Sequence, residues 1–466
     1  MRRNSEALAT LLGIRRTGAD LFRCATGNMM AEELLLRANL LAEKLSTTNG
    51  RVIVPSDDPI AFLAGIAGCW LSNNTAVAWR KSSMNSESLA ELTAASAMVR
   101  WNGHSNDWHL DRLSIPPSIQ QPGDLIILTS GSTGKPKGVA LDLGRVAANA
   151  ALAGNRLRIS SASFWAVDAD MSLISPLGHT FMAWSNQIPV QHLGGLDWTK
   201  RNELFAAGTG GYGGAPLQIR ELSQRLVGVG PQIIVSSGDF LPPALGASVD
   251  ARFPEAKLHK MYGLTEVSGR LCILPHDDRQ LHPAAAGYPL PGFEVVIDGA
   301  NDAANPGEIS VSGPTMMYGY WRTGGNFEPA RPVFRTGDIG FVRSDGLVTV
   351  SGRLDDVFKV GAEKVDRHSI EQALQAELTG HEFCVLPVIH PVLGQTPALF
   401  VASRDDENLP SRAVLIRAVR TKLPNRYTPS MILSAGQTLP KLPNGKLDKQ
   451  LLIGNFSKLP DLYAKP

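Results

Sequence analysis

The sequence lacks the features that mark several large classes of protein. It has only four cysteines, which lie far apart, at Cys24, Cys69, Cys272 and Cys384. They form no CxxC pair and stand near no histidine cluster at metal-ligand spacing, which excludes a disulfide scaffold and a zinc module. The longest strongly apolar run, 59–71, falls short of the ~20 residues that span a bilayer. We therefore expect a cytoplasmic protein with no transmembrane helix.

An excess of charge of one sign is also missing. The 45 lysines and arginines nearly balance the 43 aspartates and glutamates, for a formal net charge of +2. This balance excludes a protein whose main role is to neutralise a nucleic-acid backbone, so we expect no nucleic-acid partner. The sequence also has no internal repeat and no low-complexity tract, which excludes a solenoid. A small anionic substrate stays compatible with the composition.

The sequence does contain the material for a sizeable core. Of its 466 residues, 43% are hydrophobic and 19% are charged, enough for two or three packed units. Helical spacing over 31–45 and 59–71 alternates with strand-like runs such as RVIVP, DLIILTS and QIIVS, which predicts an α/β fold. After Gly352 the pattern becomes helix, strand, strand and helix, which predicts a small separate α+β unit. We place the domains at 1–353 and 354–466.

The segment 128–139, LTSGSTGKPKGV, is the most informative stretch. Its glycines allow backbone N–H groups to approach an anion, its hydroxyls donate further hydrogen bonds, and its lysines add charge. Pro136 and Gly138 follow Lys135, so the segment is not a P-loop. Alone, the pattern fits either a polyphosphate cradle or a flexible surface hairpin. The candidate cradle residues are Thr129, Ser130, Gly131, Ser132, Thr133, Gly134 and Lys135.

Together with four later segments, this one resembles the signatures of the ANL superfamily of adenylate-forming enzymes. That superfamily includes acyl-CoA and aryl-CoA synthetases, adenylation domains of nonribosomal peptide synthetases, and luciferases. The later segments follow in the family's order: 261–266 MYGLTE, 334–340 FRTGDIG, 352–365 GRLDDVFKVGAEKV and 442–449 LPNGKLDK. The resemblance implies the ANL fold, a large N-terminal α/β domain of several subdomains followed by a small, mobile C-terminal α+β domain.

The resemblance also implies a reaction. With ATP and Mg²⁺, a carboxylic acid becomes an acyl adenylate and pyrophosphate is released. The acyl group then passes to a thiol, either that of coenzyme A or the phosphopantetheine of a carrier protein. The implied partners are therefore a small-molecule carboxylic acid and a possible acyl or peptidyl carrier protein.

The residue types in these segments agree with nucleotide binding. Tyr262 could stack on a purine, and the two oxygens of Asp338 suit a pair of ribose hydroxyls, although a turn-capping aspartate has the same pattern. Beyond the 128–139 segment, the resemblance assigns ATP binding to Gly238, Asp239, Tyr262, Gly263, Asp338 and Arg353.

The residues that would carry the chemistry follow from the same resemblance: Lys446, Thr265, Glu266 and Arg353. Lys446 would bridge the acid and the α-phosphate region, where its charge stabilises the pentacoordinate phosphorus. Thr265 would bond phosphate, and Glu266 would hold Mg²⁺ through its carboxylate. The guanidinium of Arg353 would reach ribose or α-phosphate oxygens, and Asp355 stands at the family's hinge between the domains.

One wall of the acid pocket is indicated by the segment SPLGHTF at 175–181. It is similar to a PLFH segment of acyl- and aryl-acid members, with Gly178 in place of the aromatic residue. His179 would line the pocket; the alternative is a satisfied core histidine. Amino-acid-activating members place an aspartate in this region, and Asp168 and Asp170 do not match that position. We therefore expect an acid without an α-amino group.

A second wall is indicated by SSGDFLPPAL at 236–245, which resembles the family's SGGAPL turn. Asp239 and Phe240 replace its small residues, which indicates an atypical or shortened pocket. We assign Phe240 and Gly263 to the pocket together with the preceding segment. The glycine run GGYGG at 210–214 is either an access loop to the pocket or a plain flexible loop.

The acceptor is the least specified part of the reaction. Ala362 stands where many thioester-forming members have a second glycine, and its methyl group could crowd a pantetheine arm. One alternative keeps adenylation and passes the acyl group to an amine, which makes an amide. Another is a nucleotide- or acyl-binding protein that has lost catalysis.

Overall fold

The computed structural model describes residues 5–14, 20–81, 83–115, 123–130, 136–299, 301–303, 306–360, 363–390, 394–402, 409–441 and 447–463. Helices within these ranges are α1 (Ser5–Leu11), α2 (Ala31–Lys44), α3 (Pro59–Leu71), α4 (Ser86–Thr93), α5 (Leu143–Leu157), α6 (Ile174–Ser185), α7 (Trp198–Ala206), α8 (Pro216–Arg225), α9 (Pro243–Arg252), α10 (His276–Leu281), α11 (Arg367–Leu374), α12 (Arg412–Arg420) and α13 (Lys449–Asn455).

One group of strands precedes the turn after Tyr262 along the chain. They are β1 (Asp20–Cys24), β2 (Gly27–Met30), β3 (Arg51–Pro55), β4 (Thr75–Trp79), β5 (Ala97–Asn102), β6 (Asp107–Arg112), β7 (Leu125–Ser130), β8 (Pro136–Leu141), β9 (Phe164–Val167), β10 (Val190–His192), β11 (Gly210–Gly214), β12 (Ile233–Ser237) and β13 (Lys257–Tyr262).

The remaining strands follow the Tyr262 turn. They are β14 (Cys272–Leu274), β15 (Tyr288–Pro289), β16 (Glu294–Asp298), β17 (Gly307–Ser312), β18 (Gly319–Arg322), β19 (Asn326–Pro329), β20 (Phe334–Val342), β21 (Val348–Arg353), β22 (Val357–Val360), β23 (Glu363–Asp366), β24 (Glu382–His390), β25 (Gly394–Ala402) and β26 (Met431–Ser434).

Two large sheets hold most of these strands. A nine-stranded sheet has the order β15-β14-β13-β12-β11-β9-β10-β1-β2, and an eight-stranded sheet has the order β19-β18-β8-β7-β4-β3-β5-β6. In the first sheet β10, β9, β11, β12 and β13 run parallel, with helices in the connections, as in α/β proteins. The predicted α/β class is confirmed.

Three smaller sheets complete the topology. One has the order β16-β17-β20-β21, a second pairs β22 with β23, and a third has the order β24-β25-β26. In the third sheet β24 and β25 are antiparallel, whereas β25 and β26 are parallel. Mixed pairing beside α11 and α12 is the α+β arrangement predicted for the C-terminal part.

The apolar run at 59–71 forms the buried helix α3, as its sequence predicts. Asp58 caps it, because its Oδ1 accepts hydrogen bonds from the N–H groups of Ile60 at 2.9 Å and Ala61 at 3.2 Å. Pro59 stands in the first turn, where a missing N–H costs nothing. Every residue from Ile60 to Leu71 is buried, which accounts for the absence of a polar face.

The glycine run 210–214 is a strand, so the expectation of a loop is wrong. It forms β11, fully buried and parallel to both β9 and β12. Aromatic rings fill the space that side chains would need: a Cβ at Gly210 would lie 2.4 Å from the Phe164 ring, and one at Gly211 would lie 2.3 Å from the Trp165 ring. The glycines therefore serve close packing of rings against the strand.

The chain divides into two compact units. The first comprises Met1–Asp302, Ile309–Thr336 and Phe341–Val350, and the second comprises Ala303–Glu308, Gly337–Gly340 and Ser351–Pro466. The second has a hydrophobic core of its own, which includes Val365, Ile370, Leu374, Leu399 and Leu415. The functional boundary predicted between residues 353 and 354 stays a prediction.

None of the helices described above is both long and apolar enough to cross a membrane.

Candidate active site

The turn after β13 carries the MYGLTE segment and fixes the position of Glu266. Tyr262 is the last residue of β13, and a 3₁₀ helix at Thr265–Val267 follows. Gly263 lies between them, where a Cβ would come within 1.9 Å of the Gly269 carbonyl oxygen. Because that contact is with backbone, only glycine fits this turn. The short helix then directs Glu266 inward, where it is 7% exposed.

Two side chains from the eight-stranded sheet hold the Glu266 carboxylate. The Lys137 ammonium on β8 donates to its Oε1 at 3.0 Å, and the Tyr320 hydroxyl on β18 donates to the same oxygen at 2.8 Å. Lys137 Nζ also lies 4.0 Å from the centre of the Tyr320 ring. Burial, followed by the Glu266 charge, raises the pKa of Tyr320, which keeps its hydroxyl protonated. Within the described residues, Oε2 of Glu266 has no hydrogen-bond partner.

Next to this cluster, the described parts of the 128–139 segment lie on β7 and β8, which pair antiparallel. The two strands pair Thr129 with Lys137 and Ser130 with Pro136. The Thr129 hydroxyl oxygen is buried and has no hydrogen-bond partner among the residues described. A buried hydroxyl of this kind is ready to bind a ligand oxygen.

Several predicted residues lie outside the described part of the chain. They are Gly131, Ser132, Thr133, Gly134, Lys135, Ala362 and Lys446, together with the side chains of Ser130 and Asp355. The backbone of Asp355 belongs to a 3₁₀ helix at Leu354–Asp356.

In the second unit, Asp338 and Arg353, which the resemblance assigns separately to ATP binding, contact each other. Arg353 donates from a terminal guanidinium nitrogen to Asp338 Oδ1 at 2.8 Å. Asp338 is 4% exposed, whereas the Arg353 side chain is 45% exposed. Gly337, with φ of +74°, allows the strand to turn next to the carboxylate. Asp338 is therefore held in place while Arg353 keeps a face toward solvent.

His179 is a fully buried residue of helix α6. Its Nε2 lies 3.3 Å from Ser237 Oγ, which is also 2.9 Å from Ser175 Oγ, and its ring stacks on Trp165 at 5.8 Å. A Cβ at Gly213 would lie 2.6 Å from the ring, so β11 packs directly against it. Burial, followed by the charge of Arg270, lowers the pKa of His179 well below its ordinary value. The imidazole is therefore neutral.

Gly178 has a neighbour that the sequence did not reveal. A Cβ at Gly178 would lie 1.4 Å from a terminal nitrogen of Arg270, so the guanidinium occupies the space of a side chain at this position. The aromatic residue of the family's PLFH segment has no room here. The replacement of the family's aromatic residue by Gly178 therefore leaves the space that Arg270 fills.

On the other side, Gly238, Asp239 and Phe240 form the turn after β12. Gly238 has φ of +87°, and Asp239 Oδ1 accepts from the Phe240 N–H at 2.8 Å. Lys260 Nζ on β13 lies 5.3 Å from the Phe240 ring. Burial, followed by the charge of Arg279, lowers the pKa of Lys260 to about 8.

Sequence reasoning missed Tyr320 and Arg270, and it gave Lys137 only a general electrostatic role. Tyr320 stands in a stretch with no family signature, and its hydroxyl meets Glu266 only because β18 pairs with β8. A signal for Arg270 did exist, since it follows MYGLTE by four residues.

The Glu266 carboxylate fits a magnesium ion that also binds the substrate. The described part of the chain contains no group of three or more side chains that could hold a metal ion. Mg²⁺ usually binds one or two carboxylates and completes its shell with phosphate oxygens and water. Glu266 Oε2 would supply the one protein oxygen. The Thr129 hydroxyl, on the residue that pairs with Lys137, would bond phosphate. The donor set therefore fits Mg²⁺ delivered with ATP.

Comparison with known proteins shows what this chain is similar to. A family model described as AMP-binding enzyme matches residues 215–321, which include the Tyr262 turn, Glu266 and Tyr320. A 2-succinylbenzoate–CoA ligase of Bacillus cereus is 28% identical over 306 residues, 59% of this chain. This chain spans 59% of the length of that relative. A 2-succinylbenzoate–CoA ligase of Lactococcus lactis is 24% identical over 332 residues, 71% of this chain and 70% of the relative.

Solved structures share the fold over nearly the whole chain. ATP-bound MatB from Rhodopseudomonas palustris has a TM-score of 0.81 at 20% identity, covering 97% of this chain and 99% of its own. O-succinylbenzoate CoA synthetase from Bacillus subtilis, in complex with an acyl-adenylate intermediate, has a TM-score of 0.78 at 18% identity, with 96% and 97% covered. The amide bond synthetase McbA from Marinactinospora thermotolerans has a TM-score of 0.75 at 20% identity, with 97% and 99% covered.

Proposed function

Since this chain belongs to the ANL superfamily of adenylate-forming enzymes, we propose that it activates a carboxylic acid with ATP and transfers the acyl group to a thiol. The observation that carries the proposal is the Glu266 site. A buried carboxylate is held through one oxygen by Lys137 and Tyr320, and Lys137 belongs to the segment that resembles the family's phosphate-binding signature. The other oxygen of this carboxylate would bind a metal ion together with ATP.

The first half-reaction is phosphoryl chemistry that needs positioning more than bond-making by the protein. A carboxylate oxygen of the acid attacks the α-phosphorus of ATP, and the bond to the bridging oxygen of the β-phosphate breaks. The products are an acyl adenylate and pyrophosphate. Because both reactants are anions, the site has to bring them together and balance their charge.

Residues of the first unit would orient the triphosphate. The 128–135 stretch and the Thr129 hydroxyl would bind phosphate oxygens, and Thr265 would add a further hydroxyl. Glu266 would hold Mg²⁺, which neutralises phosphate charge when bound. Lys137 and Tyr320 would fix the orientation of that carboxylate, so their role is positioning.

Other residues would bind the nucleoside and carry the reacting charge. Tyr262 would stack on adenine next to the turn of Gly238 and Asp239, while Asp338 and Arg353 would bind the ribose. Lys446, in the C-terminal domain 354–466, would stabilise the developing charge on phosphorus. Asp355 would be the hinge that removes it before thiol attack.

An acid without an α-amino group agrees with the carboxylates near α6. Asp168 pairs with Arg201 at 2.6 Å, and Asp170 accepts from the Ser56 hydroxyl at 2.8 Å. Both carboxylates are thus engaged with protein groups, which disfavours a role in binding a substrate ammonium. Because the sequence relatives are named for 2-succinylbenzoate, that acid is the first to test.

Coenzyme A is the acceptor we favour, because the sequence relatives are named as CoA ligases. A carrier-protein phosphopantetheine presents the same thiol. Amide formation is the alternative, since one structural neighbour is named an amide bond synthetase. All four cysteines are free thiols, and we place the reaction in the reducing cytoplasm.

The test combines the purified protein with MgATP, a candidate acid and either coenzyme A, pantetheine or an amine, and identifies products by mass spectrometry. The proposal expects an acyl adenylate without acceptor, and AMP with a thioester when coenzyme A is added. An amide in place of the thioester would move the chain to the alternative. ATP binding without acid-dependent pyrophosphate release would contradict catalysis altogether.

A further inference from the structure

Arg270 is a buried cation that the reaction described so far does not use. Its side chain is 1% exposed, and one terminal nitrogen donates to the Ser175 carbonyl oxygen at 2.9 Å. The guanidinium nitrogens Nε and Nη1 are buried and have no hydrogen-bond partner among the described residues. A guanidinium carries five N–H groups, so most of its donor capacity is left open.

Hydrogen bonds from a neighbouring helix fix the position of the Arg270 backbone. The Asn149 side chain on α5 accepts from the Arg270 N–H at 2.9 Å and donates to the Arg270 carbonyl oxygen at 2.8 Å. The Ser268 hydroxyl donates to the Thr315 carbonyl oxygen at 2.6 Å. These contacts fix the chain between the Glu266 turn and β14.

The surroundings of the guanidinium are residues of the proposed acid pocket. A Cβ at Gly178 would lie 1.4 Å from one terminal nitrogen, and a Cβ at Gly263 would lie 2.9 Å from the Arg270 Cα. The positive charge of Arg270 is, after burial, the second cause of the lowered pKa of the His179 imidazole. The guanidinium therefore lies against Gly178 and near His179, two of the four residues assigned to the pocket, and the Arg270 backbone lies against a third, Gly263.

No negative charge on the described protein balances this cation. Burial lowers the pKa of Arg270 to about 9, so the guanidinium still carries its proton at neutral pH. None of the described ion pairs includes it, and the adjacent side chains of Ser175, Ser237 and His179 are neutral. A buried cation without a counter-ion is costly, and a bound anion removes that cost.

We infer that Arg270 binds a second carboxylate of the acid substrate, so that the substrate is a dicarboxylic acid of which only one carboxylate is adenylated. This inference rests on the proposed function and adds the class of acid to it. The planar fork of a guanidinium matches a carboxylate through two parallel hydrogen bonds, which a lysine does not provide. Gly178 makes room for the fork where relatives have an aromatic ring.

The test measures ATP/pyrophosphate exchange with paired acids and the full-length protein. Each pair is a dicarboxylic acid and its monomethyl ester: succinic, glutaric, adipic, phthalic and 2-succinylbenzoic acids. The ester keeps the shape and removes one charge. We expect kcat/KM for at least one dicarboxylic acid to exceed that of its ester on the order of 10²-fold, the effect of truncating one partner of a buried charge pair.

Variants then assign this preference to Arg270. In Arg270→Met, the ratio of dicarboxylic acid to ester should fall close to one, with KM for ATP unchanged, and Arg270→Lys should restore only part of it. Arg51→Met is the matched control: Arg51 is equally buried, lies 4.0 Å from the Trp321 ring centre and is not among the residues assigned to the pocket. It should leave the ratio as in the wild type.

Two outcomes would overturn the inference. In the first, esters or simple monocarboxylic acids exchange as well as dicarboxylic acids in the wild type, a result that needs no variant to fold. In the second, Arg270→Met raises KM for ATP equally with both members of a pair, because the anion is then a phosphate of the nucleotide. Silence with every acid, on folded protein, would instead contradict the proposed function itself.

Discussion

Lys137 and Glu266 form an ion pair across 129 residues of sequence, with Lys137 Nζ 3.0 Å from Glu266 Oε1. The pair joins the two signatures that the resemblance places at the phosphates, the β7–β8 hairpin and the turn after β13. The Tyr320 hydroxyl completes the arrangement at 2.8 Å from the same oxygen. One carboxylate oxygen of Glu266 thus joins the two segments, and the other is the oxygen that we propose as the metal ligand.

Glu266→Gln separates these two tasks. The amide oxygen still accepts from Lys137 and Tyr320, whereas the charge that would hold Mg²⁺ is lost. We expect pyrophosphate exchange to fall by about 10²–10³-fold and to need more Mg²⁺ for half-maximal rate. Rates over a Mg²⁺ titration measure this, with Glu328→Gln as control, an exposed glutamate paired with Arg322. Identical Mg²⁺ dependence in variant and wild type would exclude Glu266 as a metal ligand.

Gly263→Ala tests the turn that positions Glu266. A methyl group there would lie 1.9 Å from the Gly269 carbonyl oxygen, and backbone on both sides has to move. We expect the free energy of unfolding to fall by about 1–3 kcal/mol or more, as for other overpacked sites. Urea unfolding measures it, with Gly103→Ala as control, because a Cβ at Gly103 meets no atom within 4 Å. Equal stability of the two variants would show that the turn tolerates a side chain.

Asp338→Asn tests the proposed role of Asp338 in binding the ribose. Asparagine keeps one acceptor oxygen for Arg353 and loses the second acceptor and the charge. We expect KM for ATP to rise about tenfold, the effect of losing a hydrogen bond to a charged group, with a smaller change in kcat. Steady-state kinetics over an ATP series measure it. The control is Asp345→Asn, an exposed aspartate paired with Arg343, and a KM equal to that control would remove Asp338 from ATP binding.

His259→Asn should change how stability depends on pH. Burial, followed by the positive charges of His276 and Lys257, lowers the pKa of His259 from 6.5 to about 4. The unfolded chain therefore binds a proton below about pH 6.5 that the folded chain refuses until about pH 4, so stability is present above this window and is lost as the pH falls through it. Between pH 7 and pH 5 the loss is about 2 kcal/mol from this one group.

The measurement is urea unfolding of the wild type and of His259→Asn at both pH values. The variant cannot titrate, so its stability should drop by about 2 kcal/mol less than that of the wild type over the same interval. His104→Asn, at an exposed turn, should leave the pH dependence unchanged. A variant as acid-sensitive as the wild type would show that His259 is protonated in the folded state.

Local sequence was sufficient wherever local physics decides the structure. Helix α3 begins at Pro59 and ends at Leu71 as predicted, because an apolar run follows the cap residue Asp58. Motif residues such as Tyr262 and Glu266 are also close in sequence, and their turn follows from Gly263. The α/β class follows from alternation along the chain, which does not depend on how sheets are ordered.

Features set by partners far along the chain were missed. The GGYGG run reads as a loop because its burial depends on rings from β9 and α6. Tyr320 meets Glu266 only through the pairing of β18 with β8. The space at Gly178 makes sense only once the Arg270 guanidinium fills it. In each case the contact joins residues that are far apart in sequence, so no local pattern predicts it.

ATP/pyrophosphate exchange of the wild type, measured beside Lys446→Ala, is the direct test of adenylation. The matched control is Lys441→Ala, a lysine five residues earlier whose ammonium pairs with Glu382. The account predicts acid-dependent exchange in the wild type and in Lys441→Ala, and a loss of about 10²–10³-fold in Lys446→Ala with ATP binding retained. Exchange that needs no acid, or that Lys446→Ala performs as fast as the wild type, would contradict it.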